Sequence, residues 1–241
     1  MSLLFNKYFA KPNSYVKNSF EIKNTITNKK IPKNFKFISL DVVSIFPNLP
    51  HNLILQALSS KWNLLHPLRK FLTKRQFIDG IKFFLDSTYI QFNNKYYKQV
   101  SGSPMGFCTS PWLADITMEI LENNALKKLK SSLILSNKKF QTDYNILCKE
   151  PILLYIRFVD DCLLLVDENK IDQVFKFFNE QSEALKFTIE KESESNSISF
   201  LDLQIIRIEN DFPLTNWYKK PTFSGRYINY LSHHPLSQKK P

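Results

Sequence analysis

Two adjacent aspartates, Asp160 and Asp161, lie between two apolar stretches in the run LLYIRFVDDCLLLV. The β-branched, aromatic and leucine residues on either side predict a β-hairpin with the acidic pair at its tip. Because side-by-side carboxylates repel each other, a bound cation is the simplest way to stabilise them, and hard divalent ions such as Mg²⁺ are held by one or two carboxylates together with substrate phosphates. A solvated Asp-Asp turn is the alternative for an isolated pair.

A third aspartate, Asp41, ends a predicted strand of alternating residues at positions 35–41 (FKFISLD). If this strand neighbours the hairpin in one sheet, the three carboxylates meet at one end of the sheet. Such a group predicts a two-metal site, in which ions ~3.5–4 Å apart stabilise the attacking and leaving oxygens of an in-line phosphoryl displacement. Asp41 alone could be a turn cap, so it is the combination that indicates chemistry.

The chain is basic: among 241 residues, 33 Lys and Arg outnumber 22 Asp and Glu, for a net charge of +11. This charge predicts a nucleic-acid partner, although Lys and Asn enrichment from an AT-rich genome would explain it equally well. The three cysteines form no CxxC motif and indicate neither a zinc site nor a disulfide framework. Because the chain shows no signal peptide and no membrane span, we expect an intracellular protein, nuclear or cytoplasmic, that is not secreted and has no membrane partner.

The elements that must position the carboxylates are predicted from periodicity. Helices are predicted at residues 18–27, 51–65, 74–85, 111–129 and 170–184, and a polar loop at residues 131–150. Strands are predicted at residues 35–41, 89–92, 96–99, 187–191, 198–208 and 214–218, with the acidic hairpin at 152–166. This order predicts an α+β fold, in which helices cover one face of an antiparallel sheet of the split βαβ kind.

Three segments, SLDVVSIFPNLP, GSPMGFCTSPWLADITMEILE and RFVDD, resemble motifs A, B and C of reverse transcriptases in their order along the chain. Further on, FTIEKE, FLDLQI and WYKKPTFSGRYINYLSHHP resemble the palm-to-thumb sequence of Penelope-like retroelements. The resemblance covers about residues 15 to 241. It implies a reverse-transcriptase palm with an RRM-like core, and an RNA-directed DNA polymerase that uses an RNA template, a DNA primer, dNTP and two Mg²⁺ or Mn²⁺ ions.

The same resemblance implies roles for individual residues. Asp41, Asp160 and Asp161 would be catalytic and, with the backbone carbonyl of Val42, would hold the metal ions. Phe46 would be the steric gate that rejects a ribose 2′-OH, although a lone phenylalanine more commonly just packs in a core. The other nucleotide-binding residues would be those of the glycine-containing loop: Gly102, Ser103, Pro104, Met105 and Gly106.

Outside this centre, the resemblance implies a candidate general acid and a nucleic-acid contact. Lys191 would protonate the pyrophosphate leaving group, with a solvated surface lysine as the alternative. FLDLQI would belong to the primer grip, where Asp202 is expected to be structural. Contacts to the nucleic-acid backbone are expected from Lys219, Lys220, Arg226 and Tyr227.

The chain as given is expected to be one part of a longer retroelement protein. Residues 1–34 would be a remnant of the connection between fingers and palm, residues 35–208 the palm with motifs A to E, and residues 209–241 a basic segment leading toward a thumb. Neither a fingers motif, nor a full thumb, nor a GIY-YIG endonuclease is recognisable. Two alternatives therefore stay open: a catalytically inactive nucleic-acid-binding remnant, and an unrelated two-metal nuclease or nucleotidyltransferase.

Overall fold

The computed structural model describes residues 10–27, 29–65, 68–138, 150–208, 211–225 and 228–239. The strands in these ranges are β1 (Phe35–Val42), β2 (Tyr89–Phe92), β3 (Lys95–Lys98), β4 (Ile152–Phe158), β5 (Asp161–Asp167), β6 (Phe187–Lys191), β7 (Ser197–Phe200), β8 (Leu203–Arg207) and β9 (Pro213–Trp217). The α-helices are α1 (Ser19–Ile26), α2 (Ile45–Asn48), α3 (His51–Lys61), α4 (Lys74–Asp86), α5 (Ser110–Lys138), α6 (Ile171–Asn179) and α7 (Leu236–Lys239). Short 3₁₀ helices lie at Trp62–Leu64, Leu68–Lys70 and Glu168–Lys170. No helix in the described ranges is long and apolar enough to cross a bilayer.

The centre of the fold is a four-stranded antiparallel sheet with the strand order β4-β5-β1-β6. Strand β5 lies inside this sheet, and its residues 162–166 are all buried. A strand with both faces covered must be apolar on both faces, which explains why CLLLV is continuous rather than alternating. The predicted α+β class with an antiparallel sheet is confirmed.

Helices cover one face of this sheet. Alternate residues of β1 and β5, among them Leu40 and Leu164, pack in one apolar cluster with the buried sides of α3, α4, α5 and α6. In α6 the apolar positions recur at helical spacing, and Ile171, Val174 and Phe178 are its buried residues. The prediction of helices on one face of the sheet is therefore confirmed.

The opposite face is covered by α1 and by a second sheet with the order β7-β8-β9. Phe37 of β1 and Leu163 of β5 lie in a second apolar cluster with Ile22 of α1 and Ile205 of β8. This cover was not predicted. The second sheet is relevant to the acidic residues because Asp41 and Asp161 lie at the edge of the face that it covers.

Two of the differences between the observed and the predicted elements change the type of an element. The predicted single strand at residues 198–208 is wrong: it is a hairpin of β7 and β8, which turns at Leu201 with a φ of 52°. A leucine gives no turn signal, because left-handed backbone favours Gly, Asn and Asp. Helix α5 continues to Lys138, so the first residues of the predicted loop at 131–150 are helical; residues 139–149 lie outside the described ranges.

Candidate active site

Strand register brings the three aspartates to one end of the central sheet. Leu40 of β1 lies opposite Cys162 of β5, and Phe158 of β4 lies opposite Asp161. Asp41 directly follows Leu40, and Asp160 lies in the two-residue turn that precedes Asp161. Two distant segments of the chain thus place their carboxylates at neighbouring strand ends.

The side chains of Asp41 and Asp161 also share a face of the sheet. Residues two apart along a strand point to the same face, so Asp41 lies on the face of Phe37, and Asp161 lies on that of Leu163, which is the face covered by the second sheet. Both aspartates line a cleft of about 640 Å³ between the two sheets. Its other walls include Lys17, Thr188, Glu190, Asp202, Tyr218 and Lys220.

Burial and neighbouring carboxylates raise the pKa values of Asp160 and Asp161. Partial burial, and then the charges of Asp160 and Asp41, raise the pKa of Asp161 to about 6, against a smaller lowering by Lys220. The pKa of Asp160 is also raised, first by burial and then by Asp41, while hydrogen bonds from backbone N–H groups at residues 160 and 161 oppose the shift. Burial is thus the larger cause of both shifts, and the charges of neighbouring carboxylates add to it.

This donor set fits a hard divalent cation only if substrate completes the coordination. Within the described ranges, no group of three or more His, Cys, Asp or Glu side chains is arranged to hold a metal ion. Asp41 and Asp161 nevertheless line one cleft, and Mg²⁺ needs only one or two carboxylates when phosphate oxygens supply the rest. Val42, whose carbonyl is the expected further ligand, is the last residue of β1 and lies opposite Phe187.

The turn that carries Asp160 has a strained residue. Val159 has a φ of 58°, and a β-branched residue in the left-handed region is an outlier. The guanidinium of Arg157 donates a hydrogen bond from Nη1 to the Val159 carbonyl at 2.9 Å. Arg157 was not among the predicted site residues, although an arginine within the otherwise apolar run LLYIRF was a signal that it needs a buried partner.

The predicted nucleotide-binding loop packs directly against the segment that contains Phe46. The N–H of Ser103 donates to the Phe46 carbonyl at 2.7 Å. Gly102 has a φ of 77°, and a Cβ there would lie 2.4 Å from the Pro47 carbonyl oxygen. The imidazole Nε2 of His51 lies 2.8 Å from the Gly102 carbonyl oxygen. Gly102 is thus required for close approach to the chain at residues 46–47.

The five residues of this loop fall into two groups. Gly102, Ser103 and Pro104 are buried, and Ser110 fixes them, because its hydroxyl accepts from Ser103 Oγ at 2.9 Å and donates to the Pro104 carbonyl at 2.5 Å. Met105 and Gly106 are exposed. The exposed pair is therefore the part of the loop that a ligand can reach.

Phe46 lies in α2 and is half-buried against the helix-side core. It does not line the cleft that contains Asp41 and Asp161. Phe46, which follows Asp41 by five residues in the sequence, therefore lies in a packed position in the structure. Its role as the steric gate stays a prediction.

The structure does not bring Lys191 to the carboxylates. Its Nζ lies 3.0 Å from Asp172 Oδ1 of α6, on the helix side of the sheet. Lys191 lies opposite Ile38, whereas Thr188 lies opposite Asp41. Lys191 is three residues further along β6 than Thr188, so its side chain points to the other face of the sheet, away from the cleft.

Of the predicted nucleic-acid contacts, Lys220 is the one that the described structure places at the cleft. The Nζ of Lys219 lies 5.8 Å from the ring centroid of Phe223. Arg226 and Tyr227 lie outside the described residues. Asp202 accepts a hydrogen bond from Ser19 Oγ at 3.3 Å, which links the β7–β8 turn to α1 and agrees with a structural role.

An antiparallel sheet with helices on one face and aspartates at one strand end defines a polymerase palm-like fold, and solved structures support this class. The chain matches telomerase from Candida albicans, solved in complex with a TWJ fragment of telomeric RNA, with a TM-score of 0.58 at 17% identity. That match covers 85% of this chain and 36% of the other. Apo telomerase from Candida tropicalis, truncated from its C-terminal domain, gives a TM-score of 0.55 at 15% identity, over 80% of this chain and 39% of the other.

Sequence comparison identifies the family. The family model described as reverse transcriptase (RNA-dependent DNA polymerase) matches residues 4–203, and the chain belongs to this family. Telomerase reverse transcriptase of Oxytricha trifallax is 32% identical over 107 residues, which are 44% of this chain and 8% of that protein. A COX1/OXI3 intron 1 protein of Saccharomyces cerevisiae is 29% identical over 87 residues, 36% of this chain and 9% of that protein. The resemblance to reverse transcriptases is thereby confirmed, and the chain matches a small part of the length of these curated relatives.

Gly102→Ala should destabilise the protein more than Gly106→Ala. Both glycines have a positive φ, of 77° and 87°, so both substitutions carry a backbone strain of roughly 1–2 kcal/mol. A Cβ at Gly106 meets nothing within 4 Å, whereas one at Gly102 collides with two carbonyl groups. We expect Gly102→Ala to lose at least about 1 kcal/mol more unfolding free energy in urea titrations. Equal losses would show that the loop does not pack on the Phe46 segment as described.

Asp161→Asn should change how stability depends on pH in the absence of divalent cations. The pKa of Asp161 is about 6 in the folded protein against an ordinary value of 3.8, so the folded state binds this proton more tightly than the unfolded state. The contribution of this group to the unfolding free energy therefore falls as the pH rises from about 4 to about 6. Urea titrations across this window should show a smaller fall for Asp161→Asn than for wild type. The surface variant Asp79→Asn is the control, and a wild-type dependence of stability on pH in Asp161→Asn would contradict the raised pKa of Asp161.

Proposed function

We propose that this chain is the palm of an RNA-directed DNA polymerase, which transfers a nucleotide from a dNTP to the 3′-OH of a primer. The observation that carries the proposal is the register of the central sheet. It places Asp41 of β1 beside the Asp160-Asp161 turn, at the mouth of a cleft that also contains Lys220. Membership of the reverse transcriptase family supports the same reaction.

The metal ions of this reaction would be held by Asp41, Asp160 and Asp161, with the carbonyl of Val42. Two Mg²⁺ or Mn²⁺ ions, when bound, would stabilise the attacking and leaving oxygens of the displacement. The raised pKa of Asp161 supports this assignment, because after burial its causes are the charges of Asp160 and Asp41, and a cation would relieve that repulsion. Lys220 lies on the same cleft and would attract the phosphates of the nucleic acid or nucleotide.

We propose an RNA template and a DNA primer as partners, and a Penelope-like retroelement as the origin. The RNA partner is supported by the net charge of +11 and by the likeness to a telomerase solved with a fragment of telomeric RNA. The Penelope-like assignment is supported by FTIEKE, FLDLQI and WYKKPTFSGRYINYLSHHP, which lie in that order after the acidic turn.

A second candidate function is nucleic-acid binding without catalysis. It is supported by the same positive charge and by the lack of a three-ligand metal cluster among the described residues. Metal-dependent nucleotide incorporation separates the two functions.

Primer extension on poly(rA)/oligo(dT) with Mg²⁺ or Mn²⁺ tests the proposal. We expect the wild type to incorporate dTTP and Asp160→Asn to give no detectable product, because it removes a proposed metal ligand without changing the size of the side chain. The matched control is Asp167→Asn, at the opposite end of β5, which should keep wild-type activity. Full activity in Asp160→Asn would overturn the catalytic assignment. Binding of the duplex without incorporation by the wild type would favour the second function.

Phe46→Ala tests whether this residue selects the sugar. If the ring excludes a 2′-OH, the ratio of kcat/KM for dTTP over UTP should fall by roughly 10-fold or more. Phe84→Ala is the control, because Phe84 is also half-buried and packs against Phe107, at a centroid distance of 5.3 Å, outside the cleft. An unchanged ratio in an active Phe46→Ala variant would mean that Phe46 only packs.

A further inference from the structure

Arg157 is the largest fully buried side chain among the described residues. Its Nη1 donates to Asp115 Oδ1 at 2.7 Å as well as to the Val159 carbonyl at 2.9 Å. Its Nε donates to Glu122 Oε2 at 2.8 Å. Both carboxylates come from α5, so a buried cation on β4 connects this helix to the turn that contains Asp160.

The surrounding groups complete this network without leaving a carboxylate oxygen unpaired. Lys11 Nζ lies 2.9 Å from Asp115 Oδ2, and its charge lies 4.0 Å from the ring centroid of Trp112. Glu122 accepts from Ser14 Oγ and from Tyr155 Oη, both at 2.9 Å. The buried Arg157 and the partly exposed Lys11 together offset the two carboxylate charges, and such pairing is the condition under which buried charges are tolerated.

The main chain of Arg157 is held as firmly as its side chain. Its N–H donates to the Ser14 carbonyl at 2.6 Å, and its carbonyl accepts from the N–H of Val16 at 3.1 Å. The segment at residues 14–16 thus adds a short parallel pairing to the free edge of β4. Arg157 is therefore held both by its side-chain ion pairs and by its main-chain hydrogen bonds to residues 14–16.

The contact to Val159 has a physical consequence for the acidic turn. A valine at a φ of 58° is unfavourable, so the turn would relax to another shape if nothing held it. A charge-assisted hydrogen bond to its carbonyl opposes this relaxation, and such bonds are about twice as strong as neutral ones. The carbonyl that Arg157 holds belongs to the peptide group whose N–H is that of Asp160.

We propose that Arg157 is a positioning residue of the active site: fixed by Asp115, Glu122 and Lys11, it holds the Val159 carbonyl and so sets the orientation of the Asp160-Asp161 turn. The effect on catalysis rests on the proposed function. The effect on the turn does not, because it follows from the hydrogen bonds alone.

Hydrogen exchange of the metal-free protein tests the effect on the turn. In Arg157→Lys and in Asp115→Asn, the amides at residues 158–162 should exchange about 10-fold faster or more, because the charge-assisted bond to the turn is weakened. Amides of β6 should keep their wild-type rates.

The control variant is Glu119→Gln. It removes an equally short ion pair of α5, from Lys61 Nζ at 2.7 Å, that does not contact the turn. If Arg157→Lys does not fold, Asp115→Asn decides, because Asn has the shape of Asp without its charge.

The outcomes separate this inference from the proposed function. Wild-type exchange at the turn in folded Asp115→Asn, or equal acceleration in Glu119→Gln, would overturn the positioning role. In primer extension, the variants with a loosened turn should lose kcat by about 10-fold or more while KM for dTTP changes by less than about 2-fold. Full kcat together with faster exchange would overturn the effect on catalysis. A wild type that incorporates nothing would count against the proposed function, and the exchange experiment would still decide the structural part.

Discussion

A guanidinium group that is cut off from water must have negative partners, and this requirement determines how the acidic end of the sheet is built. Transferring an unpaired ion into the interior costs several kcal/mol, so Arg157 can be buried only where Asp115 and Glu122 meet it. These two residues are seven apart, two turns of α5, and so project from one side of the helix. Because α5 starts just after the loop that packs on Phe46, the same ion pairs place this loop relative to the acidic turn.

The buried network and the cleft differ in their charge balance. Around Arg157, two cations offset two carboxylates, and every carboxylate oxygen accepts a hydrogen bond. At the strand ends, Asp41, Asp160 and Asp161 lie together, and Lys220 is the cation that lowers the pKa of Asp161. The fold thus neutralises charge where it supports the turn and leaves negative charge where the cleft opens. That excess is unfavourable for the free protein and favourable for binding a cation.

The local sequence pattern was sufficient to predict those strands and turns whose conformation their own residue types favour. The alternation at residues 35–41 and the apolar run after Asp161 predicted β1 and β5. The predicted strands at 89–92 and 96–99 form the β2–β3 hairpin, in which Asn93 and Asn94 both have a positive φ. Asparagine tolerates left-handed backbone, so its sequence signal is visible. Leu201 and Val159 adopt the same region without any such preference. Their conformations are imposed by tertiary contacts, and no local pattern could have predicted them.

Strand parity explains why one candidate residue, Lys191, does not line the cleft. In β6, Thr188 and Glu190 line the cleft, whereas Lys191 pairs with Asp172 on the helix side. Because side chains alternate between faces, an alignment that is uncertain by one residue exchanges a cleft position for a position on the opposite face. The lysines that do line the cleft, Lys17 and Lys220, come from segments before β1 and after β9. A proton donor or phosphate ligand in this cleft must therefore be sought among residues that long-range folding brings there.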